Sequence, residues 1–247
     1  MFLLVYILLA MTFGYTMIVA ETSIGRMTGK SPVGAFKAFG NSGWLRFGGW
    51  INAIIPILIV PYYSVIGGWV VKYLADYVLG RGSALAADGY FSAFISNGVS
   101  AEVCFVVFAA LTSSIALTES AVSTLQDELG WGRKKATAVI GAVMLGLGSL
   151  SSLGYGPLAG VKIIGMQLLD FFDFLTNSVM MPIAAIAVCL LVSRVAGVNR
   201  IEQEVLLGEH MFRRKKVFNA MIRFLCPFFA AIILISSVAN AFGWISM

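Results

Sequence analysis

The stretch Leu111-Thr112-Ser113-Ser114-Ile115-Ala116-Leu117 sets three hydroxyl side chains in succession inside an apolar run that begins at Val103. A buried hydroxyl without a partner is costly, so in hydrocarbon these oxygens must bond a backbone carbonyl, another helix or a ligand. Serine and threonine in membrane helices commonly bond back to their own helix or join two helices. Oxygen donors also suit a small hard cation, and if the chain binds one, these are its best candidates. Both readings stay open on the residues alone.

Three further polar features fall in apolar surroundings. Glu21 closes the first apolar stretch, where it is either solvated at the interface or buried against a neighbouring helix. Tyr62 and Tyr63 lie just past the middle of the second, as aromatic packing through a proline kink or as a phenol reaching a cavity. Asp170 and Asp173 stand three apart on one helical face, as a solvated helix start or as half of a salt-bridge gate. A basic partner for that gate is not evident in the sequence.

The elements that must hold these groups are membrane helices. Of 247 residues, 59% are hydrophobic and 12% charged, against about 25% charged in soluble domains. A crossing needs about 20 apolar residues. The pattern predicts an all-α integral membrane protein, a single polytopic domain over 1–247 with six spans at about 2–26, 46–79, 101–128, 134–154, 166–195 and 212–244. Ser31-Pro32 predicts a short interfacial helix, a second short helix is expected around Tyr90–Ile95, and a charged helical loop over Ile201–Arg214.

Loop charge orients the spans. Fourteen Lys and Arg fall on one side, in the stretches around 26–46, 133–135 and 194–223, and only Lys72, Arg81 and Lys162 on the other. This bias makes the basic loops cytoplasmic and puts Met1 and Met247 outside. An external residue 1 abutting an apolar span implies an odd number of spans ahead of it, so a truncated chain is expected.

Several chemistries lack their residues. The one histidine, His210, lies in a basic loop, so no metal cluster or histidine triad can be built around it. Cys104, Cys189 and Cys226 are isolated in apolar segments without zinc-ligand spacing, and read as inert packing. No glycine-rich phosphate loop follows a strand. The net charge of +5 comes from loops between spans, which argues for a bilayer and against nucleic acid. Nothing makes a case for an enzyme.

Ala109-Ala110-Leu111-Thr112-Ser113-Ser114-Ile115-Ala116, with Leu125-Gln126-Asp127-Glu128-Leu129 and Arg133-Lys134-Lys135-Ala136, resembles the eighth helix and following loop of the neurotransmitter:sodium symporter family, and its bacterial amino-acid transporters in particular. Glu21 with Ile24-Gly25-Arg26 resembles the end of that family's second helix, Pro61-Tyr62-Tyr63 through Trp69 its third, and Asp170-Phe171-Phe172-Asp173-Phe174 its tenth. The resemblance implies part of a leucine-transporter-type inverted-repeat bundle in the plasma membrane, and sodium-coupled symport of an amino acid or related amine. It implies sodium, a transported ion and the one metal expected, on Ala109, Thr112 and Ser113. It further implies substrate contacts at Ile59, Tyr63 and Leu117, and an outer gate at Asp173. No stretch resembles the family's first helix or its fourth to seventh. The chain is therefore expected to be inactive by itself, the alternative being a non-transporting fragment or partner of a full-length transporter.

Overall fold

The computed structural model describes residues 2–109, 112–208 and 211–244, with backbone alone for residues 2, 112–114 and 116. The described chain is almost entirely helical. In order it forms α1 (Leu3–Thr28), α2 (Pro32–Ala38), α3 (Gly43–Val78), α4 (Tyr90–Ser96), α5 (Gly98–Ala109), α6 (Thr112–Leu129), α7 (Arg133–Leu153), α8 (Leu168–Ala196), α9 (Val198–Leu206) and α10 (Lys215–Ala241). Helices α1, α3, α7, α8 and α10 are long and apolar enough to cross a membrane, and α4 with α5, bent by 85°, makes a sixth crossing if the pair counts as one. The candidate sixth crossing thus pairs α4 with α5, whereas the expected third span, 101–128, overlaps α5 and α6. Ala110 and Leu111 between them lie outside the described residues, as does His210.

The sequence explains most of these boundaries. Ser31 and Pro32 open α2 as expected, because proline's fixed φ suits the first turn and its missing N–H has no helical partner there. Helix α3 continues through Pro56 and Pro61 as one 36-residue helix. In α8 and α10, Pro182 and Pro227 each follow a widened π-helical segment, Phe174–Met180 and Met221–Leu225. A proline ring clashes with the carbonyl four residues back, and a wider turn accommodates it. The charged loop helix is shorter than expected: α9 ends at Leu206, and residues 211–214 are not helical. A feature not foreseen is the two-stranded hairpin Lys162–Ile163 with Met166–Gln167, turned by Ile164 and Gly165, both at positive φ.

The chain divides into two compact units, residues 1–53 with 177–247, and residues 54–176. The first has a core of Met17, Ala20, Ile24, Leu191, Ile201, Phe218 and Ile222 among others. Helix α9 is amphipathic: Val198 and Ile201 face that core, while Glu204 pairs with Arg26 at 3.1 Å and Glu202 with Lys215 at 2.6 Å. The second unit is built on very close helix contacts. A Cβ at Gly68 would lie 2.8 Å from backbone atoms of Cys104 and Phe105, and one at Gly148 would meet the Phe105 ring at 2.2 Å. Glycine is thus what lets α3 and α7 both press against α5. At the far end of α3 the buried Asp76 carboxylate accepts from Lys72 Nζ at 2.6 Å and from the Tyr90 phenol, with Arg81 at 3.6 Å. Sequence reading assigned Lys72 and Arg81 to the outer side but gave them no carboxylate partner.

Candidate functional site

The second unit holds a core of Tyr62, Val65, Phe105 and Leu169. Ile59, Ala109 and Phe172 pack against it. Ile59 comes from the middle of α3, Ala109 from the last turn of α5, and Phe172 from the first turns of α8. The Gly67–Gly68 contact brings α3 and α5 together here, since a Cβ at Gly67 would meet the Phe108 ring at 2.2 Å.

The two tyrosines part company. Tyr62 is buried, and its phenol oxygen accepts a hydrogen bond at 3.1 Å from Thr176, in the π-helical part of α8. Thr176 Oγ1 also lies 2.8 Å from the Phe172 carbonyl. Tyr63 is 41% exposed, and its ring meets Phe108 edge-on at 6.0 Å between centroids. Side chains of neighbouring helical residues diverge by about 100°, so the Tyr62 phenol is committed to the core while Tyr63 keeps an exposed flank. Thr176 was not singled out from the sequence; its only signal was a hydroxyl in an apolar run.

The other expected site residues stand as follows. Thr112 and Ser113 begin α6, and their side chains lie outside the described residues. Leu117 is half-buried one turn further along. Asp173 is half-buried at the point where α8 passes into its π-helical segment. Its neighbour Asp170 has a partner that is not a base: the Tyr155 phenol donates to Asp170 Oδ1 at 2.8 Å. Burial, and then the Asp170 carboxylate, pushes the Tyr155 phenol well above its ordinary range, so it remains a donor at any physiological pH. Glu21, at the end of the first span, is exposed on α1. Glu102 on α5, which drew no notice in the sequence, accepts from the Ser149 hydroxyl of α7.

Solved structures share this arrangement of helices. The fold matches the crystal structure of MhsT in complex with L-phenylalanine with a TM-score of 0.78, at 18% identity, over 96% of this chain and 91% of that one. Residues 94–243 match the sodium:neurotransmitter symporter family, and the chain belongs to it. A curated relative, the uncharacterized sodium-dependent transporter YhdH of Bacillus subtilis (strain 168), is 33% identical over 115 residues, which are 45% of this chain and 25% of that protein. The match thus spans about a quarter of YhdH. The expectations of a multi-pass, all-α membrane chain and of this family are borne out.

Proposed function

We propose that this chain serves sodium-coupled symport of an amino acid or a related amine across the plasma membrane, with its basic loops cytoplasmic. In this reading the Ala109 carbonyl and the Thr112 and Ser113 hydroxyls ligate sodium. Ile59 and Leu117 line the pocket for the substrate side chain, the Tyr63 phenol donates to its carboxylate, and Asp173 belongs to the outer gate. The observation that carries the reading is that Ile59 and Ala109, one from the substrate set and one from the sodium set, pack against a single core, with the partly exposed Tyr63 one turn from Ile59 on the same helix. The amino acid named with MhsT supports the substrate class. In this reading the chain supplies part of the site and by itself is inactive.

Uptake of labelled amino acids and amines tests this in membrane vesicles from native cells with and without the chain. An inward sodium gradient should drive a component of uptake that is lost with the chain, while the purified chain alone in liposomes should give none. Equal uptake in both kinds of vesicle would remove the chain from transport.

A further inference from the structure

Glu102 places a carboxylate inside the second unit with no base to balance it. It is half-buried on α5, and its Oε1 accepts a hydrogen bond from the Ser149 hydroxyl of α7. Its Oε2 is fully buried and accepts nothing, and among the described residues no lysine, arginine or histidine pairs with it. A second buried oxygen is in the same condition. Ser152 on α7 is 2% exposed, and among the described residues its hydroxyl has no hydrogen-bond partner. Contacts on either side fix the register of the two helices. A Cβ at Gly98 would lie 3.1 Å from the Leu153 side chain and 3.3 Å from Pro157, while one at Gly148 would meet the Phe105 ring at 2.2 Å. Glu102 therefore stands opposite the turn 149–152, and Ser149 and Ser152, three apart, share the face of α7 that it meets.

We propose that Glu102, Ser149 and Ser152 bind a hard monovalent cation of the sodium class, at a site separate from Ala109, Thr112 and Ser113. Glu102 precedes Ala109 by two turns of α5, about 10 Å. The proposal is independent of the transport reading. Its ligands are the bare Oε2 and the lone pairs of the two hydroxyls, since Ser149 donates to Oε1 and can still accept. Oxygen donors alone suit a hard ion and give no purchase to a soft one. One carboxylate and one monovalent ion make a neutral pair, whereas a divalent ion would leave net charge among apolar helices, which is costly. A water set between Oε2 and Ser152 would satisfy the two oxygens but leave the carboxylate unbalanced. A proton on Glu102 would balance the charge without a metal, so the readout must be the ion itself.

The test is binding of radiosodium to the purified full chain in detergent, read by scintillation proximity. Glu102→Gln keeps the side-chain volume and an acceptor for Ser149, and removes the charge. It should weaken binding at one site per chain by about tenfold or more. The loss should be the same in the unaltered chain and in one carrying Thr112→Val with Ser113→Ala, which separates this site from the other proposed sodium ligands. Ser152→Ala removes one hydroxyl and should weaken the same site by about tenfold, so it decides the matter even if the glutamine variant fails to fold. Calcium at equal concentration should not displace the sodium. No saturable sodium binding to the unaltered chain, or binding unchanged by Glu102→Gln or by Ser152→Ala, would overturn the proposal, and a water or a proton at Glu102 would give such a result.

Discussion

Replacing Gly68 by alanine is expected to destabilise the chain and displace its proposed sodium site together. The added Cβ would sit 2.8 Å from the Cys104 carbonyl carbon and the Phe105 nitrogen, and 2.9 Å from the Cys104 oxygen. These are backbone atoms, which cannot rotate away, so α5 itself must move. Overpacking of this kind costs about 1–3 kcal/mol, and Ala109 lies within about one turn of the strained contact. Gly67→Ala presses on the Phe108 ring instead, a side chain that can turn aside, so it should cost less. That turn would carry Phe108 off the Tyr63 ring, so its effect should fall on substrate affinity. Gly141, whose Cβ would meet nothing within 4 Å, is the control. Gly141→Ala should be neutral, or stabilising by up to about 1 kcal/mol through helix propensity. Thermal unfolding in detergent, with uptake measured in parallel, separates the three. Equal midpoints for Gly68→Ala and Gly141→Ala would mean that α3 and α5 are not in this close contact.

The double substitution Thr112→Val with Ser113→Ala should abolish the response to sodium while leaving the fold in place. Both changes keep side-chain volume nearly constant and remove only the hydroxyls. A contact between a polar group and a charge is worth about 1.5–3 kcal/mol net. Two lost contacts should therefore raise half-saturating sodium by on the order of a hundredfold. The measurement is sodium dependence of the chain-dependent uptake in native vesicles. Were the hydroxyls only joining helices, the variant would unfold earlier and keep its sodium dependence. The two outcomes differ in kind.

How far the sequence carried the argument depended on range. The spans were legible because hydrocarbon demands long apolar runs, and Thr112-Ser113-Ser114 stood out because hydroxyls there need partners. The helix at Tyr90–Ser96 and the start at Pro32 were legible from local signals. The split between Tyr62 and Tyr63 was not. Adjacent phenols are equivalent in sequence, and only the arrival of Thr176, 114 residues away, commits Tyr62. The π-helical stretch of α8 that carries Thr176 was invisible for a related reason. It adjusts the helix ahead of Pro182 and leaves no composition signature. Asp76, buried among Lys72, Arg81 and Tyr90, was not singled out in the sequence. In each case the missing information was a tertiary contact.

Coupling is the central claim, and flux of sodium itself tests it most directly. Radiosodium entry would be followed in native membrane vesicles as amino acid is added outside, with and without the chain. The account predicts that amino acid accelerates sodium entry only in vesicles that contain the chain. Amino-acid uptake that depends on the chain yet brings no sodium with it would contradict the account.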